Sequence, residues 1–426
     1  MTAITKISYF LRNIRQKGFF HLLSANILIQ LFAFVSQLFV AGILSAEDIG
    51  RIKIIQTYLS IFSIIAGMGF NASTLKICSE HKSKQQLSEY FNSAFVFTLI
   101  SSSLVYGIVL LLNYLEIISK DKLIQVLIPL GMFPLITNSL FLLFIGLFQA
   151  RKEIKLFSNI TVLNKITSII GIIVLSYYWG IKGYYLAYNL SYILMVFVVF
   201  FTIKRIVPIS FKSFKRIILK EHWHYAKAST LSNIIAETSA YIDIILISFL
   251  IKDMIEIGYY SFALTLTIVL RLFPSTVQQI TIPYFSSFKS NRAEFLNIFK
   301  RYNRLLYIVV FISLLFFMLI TPPLVSYIFN GKYDQSFYYL TFLAIGWSIR
   351  NLNQLQSAAI FGLGKIHYNA YTALFALLGN MIIYPIAIYY FGLTGAAYAS
   401  ISSGIIIWFA SRYYFRKAVK KTTWEA

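Results

Sequence analysis

Three basic residues, Lys165, Arg271 and Arg350, stand midway along apolar segments long enough to cross a membrane, and their nearest acids in sequence are 12, 15 and 16 residues away. No partner one helical turn away neutralises them. A cation at that depth costs at least ~2.5–3.5 kcal/mol on insertion scales, so it persists where it faces a polar interior. The chemistry that follows is binding rather than bond making, because arginine grips phosphate or carboxylate oxygens through paired N–H donors. An anionic cargo is therefore the first expectation.

The neighbours of these cations are polar. Arg350, Gln354 and Ser357 fall at i, i+4 and i+7, and Asn351, Asn353 and Gln356 accompany them. Near the start of the chain Asn26, Gln30 and Gln37 share one helical face. Asn26, Gln30, Asn233 and Gln354 are the expected polar lining of a cavity. The acids Glu237 and Asp243 are six residues apart on one segment, so they point about 120° apart around its axis. Two readings of the charges stand. In one, the cations line a substrate path and Glu237 or Asp243 exchanges a coupling ion, H+ or Na+. In the other, Arg271 or Lys165 pairs with Glu237 or Asp243 and only locks helices together.

Other chemistry finds little footing. His222 and His224 flank Trp223 and read as interfacial anchors with no third ligand, so no metal site is expected. The single cysteine, Cys78, can form no internal disulfide. Walker, G-x-S-x-G and paired-carboxylate patterns are missing, which argues against an enzyme and against any cofactor. Gly67, Gly69, Gly171 and Gly404 read as close-packing residues of helices.

The elements that must hold these residues are membrane helices. Of 426 residues 58% are hydrophobic and 12% charged, with mean hydropathy +0.72, whereas soluble domains carry roughly 25% charged residues. The net charge of +23 would suggest nucleic acid in a soluble protein; here the basic residues follow topology and no nucleic-acid partner is expected. Apolar runs of ~20 residues predict twelve spans at 19–43, 54–76, 90–115, 122–149, 156–180, 182–203, 227–251, 256–285, 303–328, 336–362, 366–391 and 393–415. Pro129, Pro134, Pro274 and Pro283 predict kinks in the fourth and eighth. Lys and Arg then alternate, 27 on one side and seven on the other, which predicts cytoplasmic termini. At ~1.5 Å per residue Lys165, Arg271 and Arg350 lie roughly 14, 22 and 21 Å in, all within the middle of a ~30 Å core.

The second half echoes the first. At an offset of 212, Gly180 meets Gly392, Gly183 meets Gly395 and Ala187 meets Ala399; "EDIGR" (Glu47–Arg51) lies opposite "IEIGY" (Ile255–Tyr259). The predicted organisation is an all-α integral membrane protein of two six-helix halves. A cytoplasmic tip (1–18) precedes the first half (19–204), a basic loop (205–226) joins it to the second (227–415), and a basic tail (416–426) follows. Substrate would lie near the midplane between parallel repeats, and alternating access would come from rocking.

Four stretches carry a family resemblance: "LSAEDIGRIKIIQTYLSIFSIIAGMGFNAS" (Leu44–Ser73), "FQARKEIKLFSN" (Phe148–Asn159) with "GIKGYYLAY" after it, "YIDIILISFLIKDMIEIGYYSFA" (Tyr241–Ala263) and "FGLTGAAYAS" (Phe391–Ser400). Their order and spacing resemble the O-antigen flippases, Wzx-type polysaccharide transporters of the MOP exporter superfamily, to which MATE drug exporters and lipid II flippases also belong. The resemblance implies the MATE-like fold and passage of an undecaprenyl-diphosphate-linked oligosaccharide across the bacterial cytoplasmic (inner) membrane for surface polysaccharide synthesis, by ion-coupled antiport through a cationic cavity. Expected partners are that lipid-linked substrate, membrane lipids and the polysaccharide polymerase machinery, with the protein acting as a monomer. Only Asp243 transfers by position from the family pattern. The alternatives are a MATE-like exporter of drugs or organic ions, which calls for a surplus of buried acids, and a membrane O-antigen polymerase, which calls for a long external loop.

Overall fold

The computed structural model describes residues 32–422 and 424, apart from 81–82, 205–206, 209–214 and 289–290. Every regular element among them is a helix: α1 (Phe32–Ile43), then α2 (Ala46–Gly67), α3 (Phe70–Cys78), α4 (Lys84–Tyr114), α5 (Lys122–Met132), α6 (Pro134–Ala150), α7 (Ile154–Lys204), α8 (Arg216–Leu250), α9 (Met254–Leu266), α10 (Val269–Ser287), α11 (Arg292–Phe329), α12 (Ser336–Asn351), α13 (Gln354–Gly362) and α14 (His367–Lys420). Eight helical stretches among the described residues are long and apolar enough to cross a membrane. Large apolar side chains such as Phe311, Phe316, Leu319 and Phe409 are exposed along them, as the surface of a multi-pass membrane protein requires.

Two elements are too long for one crossing. α7 has 51 residues and α14 has 54; straight, each would run ~75–80 Å against a ~30 Å core. Each is broken by one glycine, Gly180 (φ 57°, ψ −141°) and Gly392 (φ 58°, ψ −141°), in a backbone region that only glycine enters freely. Both breaks are reversals. A Cβ on Gly183 would collide with the carbonyl of Leu175, and one on Gly395 with that of Ala387. Residues eight apart on a straight helix lie ~12 Å apart. The offset of 212 seen in sequence therefore recurs as one backbone geometry built twice.

Other breaks correct the expected helix limits. α2 begins at Ala46, eight residues before the expected 54, because Ser45 Oγ accepts the Asp48 N–H (3.2 Å) as an N-cap. Arg51 and Lys53, assigned by sequence to a loop, are thus inside a helix. Gly69 (φ 68°) serves the left-handed junction between α2 and α3. The fourth span breaks at one of its two prolines, Pro134, which opens α6, while Pro129 lies inside α5. The eighth breaks at Thr267–Ile268, and Pro274 lies within α10 instead.

The chain forms two compact units. Unit 1 comprises Met1–Ile43, Ala66–Gly107 and Phe133–Lys227; unit 2 comprises Leu44–Ile65, Ile108–Met132 and Ala228–Ala426. In unit 1 Phe70, Phe91, Phe95, Phe144 and Phe148 form a buried aromatic core, and Gly146 brings α6 onto the Asn71 carbonyl of α3. In unit 2 Phe285, Phe295, Leu306, Leu355 and Phe415 pack together. Here Gly404 lets α14 approach the backbone of α12, where a Cβ would sit 2.5 Å from Gly346 O. Gly50 of α2 meets Gly258 of α9 backbone to backbone. These two glycines are equivalent positions of the sequence repeat.

Candidate functional site

Five helices of unit 2 bring charged and polar side chains into one neighbourhood: Lys53 from α2, Glu237 and Asp243 from α8, Arg271 from α10, Arg350 from α12 and Tyr384 from α14. Asp243 is 5% exposed. It accepts a hydrogen bond from the Tyr260 hydroxyl (3.0 Å) and another from the Ile244 N–H (2.8 Å). Lys53 and Arg350 are the cations in electrostatic reach of its carboxylate. Glu237, half-buried one and a half turns away on α8, has Arg271 and Arg350 in reach. Lys53 lies 5.7 Å above the ring of Tyr241, and the Arg350 guanidinium stands 4.9 Å from the ring of Trp347, arrangements that hold each cation against a π face.

Local breaks in helical hydrogen bonding set these positions. Pro274 has no N–H to give the Leu270 carbonyl, four residues back. Asn351, 1% exposed, donates its Nδ2 to that oxygen instead (3.1 Å), tying the residue after Arg350 to the residue before Arg271. Immediately afterwards Leu352 and Asn353 wind as a tight turn, bonding to Ile349 and Arg350 carbonyls three residues back. Two such residues rotate the following face by roughly 40° from α-helical register. The expected single stripe of Arg350, Gln354 and Ser357 is therefore offset at its middle, and Gln354 opens α13 half-buried.

The remaining expected residues are placed as follows. Arg271 is exposed and Arg350 half-buried; a small pocket lined by Ser239, Asp243, Trp347, Arg350, Tyr384 and Ser403 reaches the latter. Lys165 is half-buried on α7 and belongs to unit 1. Asn233 is exposed and points its amide at Ser229 of its own helix (3.5 Å). Asn26 and Gln30 lie outside the described residues. His222 corrects the interfacial expectation: it is fully buried in unit 1, with Nδ1 2.9 Å from Ser73 Oγ and Nε2 3.2 Å from the Tyr90 carbonyl, stacked on Phe70.

Sequence reading missed Lys53. The signal was present in "SAED": a Ser with an acid three residues on, ahead of an apolar run, marks a helix start. Starting the helix there puts Lys53 two turns inside it. Among the described residues, none of Lys53, Arg271, Arg350, Glu237 and Asp243 forms an ion pair within 4.0 Å. Cations outnumber acids in this set. Exposed or π-backed guanidinium groups with no carboxylate in contact retain N–H donors for oxyanions.

Residues 16–289 match the family model described as "Polysaccharide biosynthesis protein". The chain belongs to that family. The family match contains Lys53, Lys165, Glu237, Asp243 and Arg271, and ends before Arg350 and Tyr384. Among solved structures the chain resembles the lipid II flippase MurJ in an inward closed conformation, at TM-score 0.74 and 17% identity over 94% of this chain and 90% of that one. It also resembles an inward-facing multidrug resistance MATE transporter of the MOP superfamily (TM-score 0.72, 15% identity, 92% and 96% covered). A third match is a MOP superfamily transporter from Pyrococcus furiosus, described as having a binding pocket of reverse polarity (TM-score 0.62, 17% identity, 94% and 95% covered). These likenesses establish that this polysaccharide biosynthesis protein has the MOP transporter fold. No curated protein matches the sequence.

Proposed function

We propose that this polysaccharide biosynthesis protein is a flippase. It moves an undecaprenyl-diphosphate-linked oligosaccharide repeat unit from the inner to the outer leaflet of the bacterial cytoplasmic membrane, for O-antigen or related surface polysaccharide. Twelve spans with both termini in the cytoplasm carry an alternating-access cycle, with H+ or Na+ moving in exchange. The chain makes and breaks no covalent bond, and a polysaccharide polymerase consumes what it delivers.

One observation supports this reading above the rest: among the described residues, Lys53, Arg271 and Arg350 stand in unit 2 with no carboxylate within 4.0 Å, in a chain of the polysaccharide biosynthesis family. A diphosphate ester offers about two negative charges and bidentate oxygens to such groups. The reading of an organic-cation exporter calls for the opposite balance of charge.

The test is the Arg271→Ala, Arg350→Ala double variant, expressed in a strain lacking its own flippase. Surface polysaccharide display should be lost at unchanged protein abundance, with lipid-linked repeat units accumulating on the inner leaflet. Full display would overturn the cationic-path reading. For coupling, Glu237→Gln should reduce uptake driven by a pH gradient in proteoliposomes; unchanged uptake removes Glu237 from the exchange.

A further inference from the structure

A second cavity lies in unit 2 between α11 and α14, built from other residues than the central set. Two aromatic contacts bridge these helices. The Phe299 and Phe415 rings stack with centroids 4.2 Å apart, and Trp408 Nε1 donates to the Tyr307 hydroxyl (2.8 Å). Phe299 and Tyr307 are two turns apart on α11, and Trp408 and Phe415 two turns apart on α14 in the opposite sense. The bridges therefore sit ~11–12 Å apart along the pair. Between them the helices leave a cavity of about 150 Å³, lined by Phe299, Asn303, Gln356, Arg412, Phe415 and Arg416.

The lining has one electrostatic sign. Arg412 is held with its guanidinium 4.3 Å from the Trp408 ring, leaving its N–H edge free to point elsewhere. Arg416 is exposed, and among the described residues neither arginine forms an ion pair. The Asn303 side-chain oxygen is buried with no hydrogen-bond partner. A buried polar atom left in that state costs ~1–3 kcal/mol unless a ligand or water fills it.

Depth identifies the medium around the cavity. Arg412 is 20 residues beyond the Gly392 reversal, and Asn303 is 26 residues before the end of α11 at Phe329. At 1.5 Å per residue both lie ~30–40 Å from those ends, at the opposite boundary of a ~30 Å hydrocarbon core. On α14 the exposed Phe409 and Tyr413 flank Arg412, about 60° and 100° around the helix from it, whereas the exposed Leu305, Ile308 and Ile312 lie on the far side of α11 from Asn303. The cavity thus joins a cationic pocket at headgroup level to the apolar surface of α14 beside it.

We propose that this cavity is a lipid site, which takes the phosphate headgroup of an anionic membrane lipid between Arg412 and Arg416, with a glycerol O–H or the P–OH of a phosphate monoester donating to Asn303. Two phosphate lipids have the required chemistry, a bulk anionic phospholipid and a polyprenyl phosphate.

The test titrates the purified full-length protein in detergent with phosphatidylglycerol, polyprenyl phosphate, phosphatidylcholine or inorganic phosphate. Thermal shift and native mass spectrometry supply the readouts. One anionic lipid should be retained and should raise the Tm, and Arg412→Ala with Arg416→Ala should weaken that response by about tenfold or more. Arg412→Lys with Arg416→Lys should recover part of it, which separates lost charge from lost folding. Arg350→Ala should leave it intact, which separates this site from the proposed transport path. The tighter-binding of the two anionic lipids names the occupant. A full response in the double alanine variant, an equal response to phosphatidylcholine, or a full response to inorganic phosphate alone would overturn the proposal.

Discussion

Removing the Asp243 carboxylate would strand three groups: the Tyr260 hydroxyl, which donates to it at 3.0 Å, and the charges of Lys53 and Arg350 in its reach. Asp243→Ala should therefore lower stability by about 1–3 kcal/mol for the orphaned hydroxyl alone, seen as a lower Tm in detergent. Asp243→Asn keeps an acceptor and should cost less. Pairing Asp243→Ala with Lys53→Met should recover part of the loss, because residues that share a charge network do not add. At this scale the sequence was legible where the signal is compositional. A cation inside an apolar run stands out whatever the fold, and so Arg271 and Arg350 were found. Which acid faces which cation was not legible. The expected partners of Asp243 were Arg271 or Lys165, yet the faces of α2 and α12 that meet α8 carry Lys53 and Arg350, and tertiary packing alone decides that.

Among the helices, glycine substitutions should sort by what each new methyl would meet. Gly183→Ala and Gly395→Ala drive a Cβ into the carbonyls of Leu175 and Ala387 and should abolish folded yield, measured as monodisperse protein after purification. Gly107→Ala meets nothing within 4 Å and should be silent. Gly180→Ala and Gly392→Ala have open space but the wrong backbone, so each should cost about 1–3 kcal/mol through strain. Asn351→Leu leaves the Leu270 carbonyl, already deprived of its helical donor by Pro274, without its 3.1 Å partner; a drop in Tm from a buried orphan of about 1–3 kcal/mol is expected. The paired reversals were legible because glycine at a fixed offset marks a backbone no other residue adopts. The breaks at 267–268 and 352–353 were not, since no proline or glycine stands at either. One interhelical hydrogen bond, from Asn351 to the Leu270 carbonyl, ties the chain beside one break to the chain beside the other.

For the whole molecule, topology follows from length. α11 runs 38 residues between its caps at Asn291 and Asn330, ~57 Å of helix, so those caps are expected on opposite sides of a ~30 Å hydrocarbon core. With the buried Cys78 replaced by alanine, a single cysteine at 291 and another at 332 should react with a membrane-impermeant thiol reagent from opposite sides. The charge bias of 27 to seven predicts that 291 reacts from the cytoplasm; reaction of both from one side would undo the span count. Membrane class and family resemblance were readable at this scale from composition and ordered motifs. The division into units was not, because contiguous segments of chain (44–65 and 108–132) belong to unit 2 while their sequence neighbours belong to unit 1. No local pattern encodes that exchange.

Where Gly50 faces Gly258, no side chain stands between the two backbones. A Cβ at 258 would collide with the Ala46 carbonyl, but a residue placed at 50 acts as a shim. Each added carbon becomes thickness between α2 and α9, and α2 is the helix that carries Lys53. A graded series of glycine, alanine, serine and valine at 50 would therefore move that ammonium group relative to Asp243 by fractions of an ångström without altering any charge.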